Sequence, residues 1–304
     1  MTNLNGIHFL LTYSCNYECD HCFLYCGPKS KGTLSLNQIE LILNEASKID
    51  SVEWIYFEGG EAFLFYPIML EGMRFAKKKG FKIGLVTNSY WATSVKDAEV
   101  WLKPIREIGI ESMEVSNDLF HFDDKFDNFA KNARIAAENL GIPITSITIE
   151  TPTVKEGIDK EHDKGRPVIG GGAMFRGRAV EKLIDGLPTR LWYQLTSCPY
   201  EDLVDLGRVH IDPFGNVQIC QGLSIGNAFK TPLSKMIAEY KGDNHPICTS
   251  LIKGGPAELA NRYGLEHEDS YVDECHMCFK MRLKLIDKFP EFLCPKQVYG
   301  LENQ

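Results

Sequence analysis

Cys15-Asn16-Tyr17-Glu18-Cys19-Asp20-His21-Cys22 is the stretch of sequence that decides the fold and the chemistry of this chain. It places three cysteines in one short loop, directly after Ile7–Leu11, an apolar segment with the character of a β-strand. Three thiolates from one loop can hold three irons of a [4Fe–4S] cluster and leave the fourth iron open to a ligand. The sequence therefore predicts a reactive iron–sulfur centre, because an open iron serves chemistry as well as electron storage.

Cys26 offers a second interpretation of this loop. Cys19, Cys22 and Cys26-Gly27-Pro28 follow part of a ferredoxin ligand run, and a fourth thiolate ligand would close the open iron. A bacterial ferredoxin is much shorter than 304 residues and usually carries a second such run, which this sequence lacks. We therefore expect Cys26 to pack beside the cluster loop, with ligation as the alternative.

Composition limits the class of protein. Forty-four per cent hydrophobic and 24% charged residues are ordinary for a globular chain, and 304 residues suffice for one barrel or two smaller units. The sequence has no apolar run of membrane-spanning length and no signal-peptide pattern, which predicts a cytoplasmic protein without a membrane partner. Ten cysteines in a reducing compartment favour metal ligation over disulfides, and the net charge of −8 disfavours nucleic acid as a partner.

Apolar runs alternate with helical patterns from residue 7 to about residue 150, which predicts βα repeats and a parallel sheet. The stretch Lys155–Gly172, rich in Gly, Lys and Asp, then interrupts the pattern and predicts a mobile loop or a lid. The predicted strands are Ile7–Thr12, Val52–Phe57, Lys82–Thr87, Ser112–Ser116 and Ile144–Glu150, and the predicted helices are Leu36–Ile49, Pro67–Lys79, Asp97–Ile108 and Lys125–Leu140.

The sequence changes character near residue 195, where short strands and cysteines begin. Residues 209–220 alternate apolar and polar on both sides of Asp212-Pro213-Phe214-Gly215-Asn216, which predicts an antiparallel hairpin with Cys220 at its end. We place a domain boundary here, between residues 1–195 and residues 196–304.

Gly59-Gly60-Glu61 directly follows the second strand, at the strand end where parallel α/β barrels build their sites. Two glycines permit close backbone approach to a ligand, and the carboxylate can accept hydrogen bonds from an ammonium group. A turn with a solvated glutamate is the alternative. Glu58 precedes this segment; it could bind substrate, but we expect it to pair with a nearby lysine.

A second set of cysteines lies in the C-terminal region. Four thiolates can complete a [4Fe–4S] cluster or a structural zinc site, and ligand type alone does not choose between them. Cys248 and Cys294 are alternates that we expect to pack as small apolar side chains or to stay free thiols. The set comprises Cys198, Cys220, Cys275 and Cys278.

The C-x3-C-x2-C pattern, with the aromatic residue His21 before its last cysteine, resembles the signature of the radical S-adenosylmethionine (radical SAM) superfamily. The resemblance implies an α/β fold, a partial (β/α)6 TIM-like barrel, with SAM bound to the open iron of a [4Fe–4S] cluster. It implies that one electron, from a donor such as flavodoxin or ferredoxin, cleaves SAM to a 5′-deoxyadenosyl radical that abstracts hydrogen from a substrate.

The resemblance also implies roles for residues at the strand ends. Gly59-Gly60-Glu61 is similar to the segment that grips the amino group of SAM, and Asn88, Ser116 and Asn117 stand where relatives bind its ribose and carboxylate. Helix capping and turn formation are the alternatives for these three polar residues. Adenine contacts near Ile147–Glu150 stay open.

Arg176 and Arg178 lie in a Gly-Arg-Ala segment similar to one near the end of the barrel in peptide-modifying relatives. An arginine there could form a bidentate pair with a carboxylate or could be solvated.

The order of the C-terminal cysteines resembles a Twitch domain, a shortened SPASM domain, and implies a small α+β unit with an auxiliary [4Fe–4S] cluster; zinc is the alternative. Cys26-Gly27-Pro28, together with Asn88-Ser89-Tyr90-Trp91, resembles the branch that contains radical SAM peptide epimerases. A ribosomal peptide is therefore the expected substrate, and a small molecule is the alternative. A non-catalytic Fe–S or zinc-binding protein is a remote third possibility, which Gly59-Gly60-Glu61 disfavours.

Two further expectations concern the reaction. Because Cys15 lies so near the start, we expect a peptide to be recognised by the barrel itself or through a separate leader-peptide binding protein. The epimerases have a cysteine directly after the hairpin cysteine, where this chain has Gln221. We therefore expect an oxidative outcome such as a crosslink in preference to epimerisation, with Cys26, Cys248 and Cys294 as alternative hydrogen donors.

Overall fold

Strands and helices alternate from residue 6 to residue 147 of this computed structural model, which describes residues 3–122, 128–156 and 167–301. The strands are β1 (Gly6–Thr12), β2 (Trp54–Gly59), β3 (Lys82–Thr87), β4 (Ser112–Ser116), β5 (Ile144–Ile147), β6 (Thr153–Glu156), β7 (Pro167–Gly170), β8 (Arg190–Leu191), β9 (Arg208–Ile211), β10 (Asn216–Cys220), β11 (Leu223–Asn227) and β12 (Ser270–Tyr271). The helices are α1 (Leu36–Ala46), α2 (Tyr66–Lys78), α3 (Val95–Ile108), α4 (Phe129–Leu140), α5 (Ala179–Lys182), α6 (Leu233–Glu239), α7 (Cys248–Tyr263) and α8 (Glu274–Leu285).

One eight-stranded sheet runs through the molecule in the order β11-β10-β9-β1-β2-β3-β4-β5. β1 to β5 and β9 are parallel, whereas β10 and β11 are antiparallel to their neighbours. The predicted α/β fold with a parallel sheet is confirmed. Since β9 follows residue 195 and pairs with β1, both sides of the predicted domain boundary share this sheet; the division at residue 195 stays a prediction.

The elements form where the sequence carries both an apolar pattern and a terminus signal. In β1, Ile7, Phe9 and Leu11 are fully buried, as expected of a central parallel strand. α1 begins at Ser35, whose side chain forms a reciprocal capping box with Gln38. β3 and β4 match their predicted bounds, whereas α1 and the fifth strand end three residues earlier than predicted.

Two predicted segments fall partly outside the described residues. The helix predicted from Lys125 is observed as α4, capped by the Asn128 side chain, while residues 123–127 are not described. The predicted loop or lid Lys155–Gly172 contains the end of β6 and all of β7, two strands that pair with each other, and its centre, residues 157–166, lies outside the described residues.

The predicted hairpin is confirmed: β9 and β10 are antiparallel, and Cys220 ends β10. Asp212 organises the turn because its Oδ1 accepts hydrogen bonds from the backbone N–H groups of Phe214 and Asn216. Its Oδ2 accepts one from the Tyr13 hydroxyl, just before the cluster loop. The hairpin is thereby attached to the loop that carries the first cysteines. No helix in the described part of the chain is long and apolar enough to cross a membrane.

Candidate active site

Cys15, Cys19 and Cys22 line one cavity of about 270 Å³. Gly59, Asn88 and other residues at or just beyond the C-terminal ends of β2, β3 and β4 also line this cavity. The strand ends meet there because these strands are parallel neighbours in the sheet. The three thiols of the predicted cluster loop therefore converge on the expected edge of the sheet.

Burial and one hydrogen bond set the pKa values of these three thiols. It raises the pKa of Cys15 to about 12 and also raises the pKa of Cys19. The pKa of Cys22 falls to about 6 because the Cys26 thiol donates a hydrogen bond to it. Buried thiols that resist ionisation become thiolates when a cation binds, so this donor set fits an iron centre. Cys26 packs beside the loop and also lines the cavity.

Gly59 and Gly60 bring the end of β2 against the backbone that precedes Cys15. A Cβ on Gly60 would lie 2.2 Å from the Ser14 carbonyl oxygen, and one on Gly59, whose φ is +134°, would lie 2.5 Å from that of Thr12. The Gly60 N–H donates to Thr12 O at 2.7 Å. The glycines thus permit close packing of two backbones as well as exposure of backbone on the cavity wall.

The Glu61 carboxylate is directed into the protein. It is 1% exposed, and its Oε1 accepts hydrogen bonds from Phe63 N (3.0 Å) and Thr87 Oγ1 (2.8 Å), while Oε2 accepts one from Asn88 N (2.7 Å). Burial raises the pKa of Glu61 to about 7, although these three hydrogen bonds lower it. Among the described residues, Glu61 joins β2 to β3 behind the cavity, and Gly59 and Gly60 form the wall in front of it.

Of the three predicted polar residues, Asn88 and Ser116 line the cavity. The Asn88 Nδ2 donates to Asn16 Oδ1 at 2.9 Å and lies 3.6 Å from Cys15 Sγ. Asn117 lies beyond the wall, where its Oδ1 accepts a hydrogen bond from the side chain of Asn128, the cap of α4.

Arg178 binds the cluster loop through its backbone. Its guanidinium donates to the carbonyl oxygens of Cys19 (2.7 Å) and Cys26 (2.8 Å). Arg178 therefore binds two backbone carbonyls, which is neither the carboxylate pair nor the solvated side chain that the sequence left open. The loop is held at two points by one rigid group.

Sequence reasoning missed His121. Its Nε2 lies 3.3 Å from Cys19 Sγ, and its Nδ1 lies 2.7 Å from Oδ1 of Asp118, a carboxylate that is 4% exposed. Burial opposes ionisation of Asp118, but its hydrogen bond and attraction to His121 hold its pKa below the usual range. The sequence does carry one indication of this contact: His121 follows Asp118 by three residues, just beyond the end of β4.

The four C-terminal cysteines line a second cavity, as their spacing predicted. Two buried arginines share it: Arg176, 4% exposed, donates from Nη1 to Cys220 Sγ at 2.9 Å, and Arg282, 1% exposed, donates to the Gln221 carbonyl. Four thiolates around a [4Fe–4S] core of charge about +2, or around Zn²⁺, carry about two net negative charges, which two arginines can offset. The residues present therefore fit either group. The cysteines are Cys198, Cys220, Cys275 and Cys278.

The remaining cysteines lie elsewhere. Cys248 is fully buried, and burial raises its pKa to about 12; Cys294 donates weakly to the Glu291 carbonyl, with its pKa also raised to about 12. Of the three alternative hydrogen donors, Cys26 is the one that lines the first cavity, among the residues described.

Comparison with known proteins places this geometry in a family. The model of the radical SAM superfamily matches residues 9–182. "Putative peptide biosynthesis protein YydG" of Bacillus subtilis (strain 168) is 29% identical over 107 residues, 35% of this chain and 34% of that protein. "Tungsten-containing aldehyde ferredoxin oxidoreductase cofactor-modifying protein" of Pyrococcus furiosus is 27% identical over 113 residues, 37% of this chain and 30% of that protein.

The matched segments span about a third of the length of these relatives. Among solved structures, BtrN in complex with AdoMet and 2-DOIA is 16% identical, with a TM-score of 0.49, covering 77% of this chain and 81% of that chain. Because the family model covers more than half of the sequence and the cluster loop lies within it, this chain belongs to the radical SAM superfamily and is an enzyme whose family implies SAM and a [4Fe–4S] cluster.

Proposed function

We propose that this enzyme abstracts one hydrogen atom from a ribosomal peptide and that the product is oxidised: the substrate would lose one further electron, for which a bound iron–sulfur cluster would be the acceptor, and one proton to solvent. The observation that carries the proposal is the convergence of three thiols, two backbone glycines and Asn88 on one cavity at the strand ends. When bound there, a [4Fe–4S] cluster and SAM supply hydrogen abstraction from an unactivated carbon. The protein holds and aims these groups.

Each cavity residue has a defined part in this proposal. Cys15, Cys19 and Cys22 hold three irons, and the backbone at Gly59-Gly60 accepts hydrogen bonds from the SAM ammonium. Asn88 and Ser116 bind polar groups of SAM. Their position on one wall supports these roles.

We propose that Glu61 supports the SAM site without contacting SAM itself. Three of its acceptor positions are used by Phe63, Thr87 and Asn88, and a carboxylate has about four. We infer that Glu61 is a positioning residue, which holds Asn88 and the end of β3 against the cluster loop. Asn117 similarly acts by fixing the start of α4 through Asn128.

The second cysteine set is proposed to hold an auxiliary [4Fe–4S] cluster, as in the Twitch resemblance. Arg176 connects it to the first site, because its guanidinium lies 5.3 Å from the Phe23 ring, beside Cys22, and donates to Cys220. Zinc in this site is the alternative that metal analysis distinguishes.

A peptide substrate is supported by the similarity to a protein named for peptide biosynthesis. The chain is also 31% identical over 96 residues to "S-adenosylmethionine-dependent nucleotide dehydratase" of Psychrobacter lutiphocae, which supports a small molecule as the second candidate. A flavodoxin or ferredoxin as electron donor and a leader-peptide binding protein belong to the proposal as partners.

We expect oxidation in preference to epimerisation because the described residues offer no free donor thiol at the first cavity. Gln221, 4% exposed, stands where a donor cysteine would follow Cys220, and the Cys26 thiol is engaged with Cys22. Reaction in deuterated water with a synthetic candidate peptide tests the outcome. Loss of two hydrogens without deuterium uptake is expected; a D-residue carrying deuterium would show epimerisation and return Cys26 to the role of donor.

The core of the proposal is tested without the substrate. Reconstituted enzyme with a chemical reductant and SAM should yield 5′-deoxyadenosine, measured by mass spectrometry. Changing Cys15, Cys19 and Cys22 together to Ala should remove about four irons and abolish this product, since those thiols hold the cluster. Cys294→Ala is the matched control and should retain both. Product formation by the triple variant would refute the assignment.

A further inference from the structure

Three side chains from distant parts of the sequence converge on one face of the sheet, outside both cysteine sites. His8 lies on β1, Glu58 on β2 and His210 on β9, and these strands are neighbours. His8 is in register with both His210 and Tyr56, and Glu58 is two residues beyond Tyr56, so all three side chains share a face. The lysine partner expected for Glu58 is replaced by two histidines.

The distances suit a bound metal ion as well as they suit weak hydrogen bonds. His8 Nδ1 lies 3.3 Å from Glu58 Oε2, and His210 Nε2 lies 3.3 Å from Glu58 Oε1. Zinc bonds of about 2.0–2.1 Å at a tetrahedral angle separate two ligand atoms by about 3.3 Å. Ordinary N–H···O hydrogen bonds are mostly shorter, at about 2.7–3.2 Å. His8 Nδ1 is buried and faces the Glu58 carboxylate without a well-formed hydrogen bond among the described residues.

The donor set has the composition and support of a transition-metal site. Two imidazoles and one carboxylate, with all ligand atoms within 4.8 Å of one another, are typical ligands of Zn²⁺ and similar ions.

Packing holds the His8 ring in orientation. Tyr56 stacks on it with centroids 4.5 Å apart and planes 8° from parallel. Tyr56 in turn lies over Gly84, where a Cβ would come within 2.2 Å of the Tyr56 ring. The ligand geometry is therefore supported by the strands around it.

The site is accessible and separate. The side chains of His8 and Glu58 are 17% and 19% exposed, whereas that of His210 is 6% exposed, so an ion has an entry path. None of the three lines the cavity at Cys15 or the cavity at Cys198.

We propose that His8, Glu58 and His210 bind one divalent transition-metal ion on the face of the sheet that they share. Three protein ligands leave a fourth position for water or for an oxygen of a bound molecule. The ion also joins β9, from the C-terminal region, to β1 and β2.

The test uses the full-length, cluster-loaded enzyme with its clusters oxidised, equilibrated with Co²⁺ as the probe. Metal content and the high-spin Co²⁺ signal in electron paramagnetic resonance report binding, because oxidised [4Fe–4S] clusters contribute no such signal. We expect about one Co²⁺ per chain, without loss of iron.

Glu58→Gln preserves size while removing the bridging charge, and it should weaken Co²⁺ binding roughly 100-fold or more, since even outer-sphere changes cost 10- to 100-fold. Glu53→Gln is the control, because Glu53 pairs with Lys82 at an exposed site and is none of the proposed ligands, and it should bind as the wild type does. His8→Gln is the second ligand variant, and it carries the test if Glu58→Gln fails to retain its irons.

Binding of Co²⁺ that survives both ligand variants, or absence of binding at millimolar Co²⁺, would overturn the proposal. SAM cleavage by the triple cysteine variant would refute the first assignment and leave the Co²⁺ result unaffected, so the two assignments can fail separately.

Discussion

At the scale of single residues, buried polar groups support the cluster loop from behind. Glu61 receives hydrogen bonds from Thr87 and Asn88, and Asn88 in turn contacts Asn16 and Cys15. Buried polar groups that are fully bonded hold a unique geometry, and each loss leaves a partner unsatisfied. The positions of Asn88 and Cys15, which line the cavity, therefore depend on Glu61, which does not.

Changing Glu61 to Ala should weaken SAM binding more than it reduces the iron content. Without the hydrogen bond from Asn88 N to Glu61, Asn88 is no longer held in place on the cavity wall. Charge-assisted hydrogen bonds are worth about 1.5–3 kcal/mol, or roughly ten- to 150-fold in affinity. Equilibrium binding of SAM and iron analysis measure the two effects. Glu53→Gln, at an exposed ion pair with Lys82, is the control; unchanged SAM affinity in the Ala variant would remove Glu61 from the support of the site.

Changing Arg178 to Lys should loosen the first cluster even though the positive charge remains. A lysine cannot reproduce the planar fork that binds the carbonyls of Cys19 and Cys26. The rate of iron release to a chelator should rise about tenfold or more, as expected for one lost charge-assisted hydrogen bond. Arg134→Gln, at an exposed helix pair, should release iron at the wild-type rate. Equal rates in the Arg178 variant would contradict the clamp.

At the scale of elements, strand ends create the site and the β9–β10 hairpin supports it. β2, β3 and β4 deliver Gly59, Asn88 and Ser116 to one edge because they are parallel and adjacent. The turn at Asp212 is anchored to Tyr13, two residues before Cys15. The hairpin therefore couples Cys220 to the cluster loop through a buried carboxylate.

The Asp212 carboxylate gives this turn a pH-dependent stability. Burial raises its pKa to about 6 from 3.8. The folded state thus keeps a proton that the unfolded chain releases earlier, so stability falls as pH rises from about 4 to about 6 and is constant above. Between pH 5 and pH 7 this amounts to about 1 kcal/mol. Asp212→Asn should remove that part of the slope in denaturant unfolding, whereas exposed Asp50→Asn should retain it; identical slopes in wild type and Asp212→Asn would refute the effect.

At the scale of the whole molecule, the two cysteine sites belong to one connected structure. The main sheet continues from β5 through β1 to β11, and Arg176 spans from Phe23, beside the first site, to Cys220 in the second. The arrangement of the two sites depends on this shared sheet. Each site nevertheless has its own cysteines, so changing the cysteines of one site should leave the other formed.

Changing Cys275 and Cys278 together to Ala should remove about four irons and spare the first cluster. Iron analysis, with electron paramagnetic resonance of the reduced enzyme, checks both parts. Changing Cys248 to Ala should leave the iron content intact, since Cys248 is buried outside the ligand set. Loss of zinc instead of iron in the double variant would identify a structural zinc site.

The sequence by itself determined the elements and the clustered ligands, because these depend on short-range patterns. Apolar alternation located β3 and β4 to the residue, and cysteine spacing identified both thiol sets. The pairing of β9 with β1 could not be predicted, since it joins segments about two hundred residues apart that periodicity does not relate. The inward direction of Glu61, the contact of His121 with Cys19 and the triad of His8, Glu58 and His210 were decided by tertiary structure alone. Each depends on which strands become neighbours, and that is settled by the packing of the whole chain.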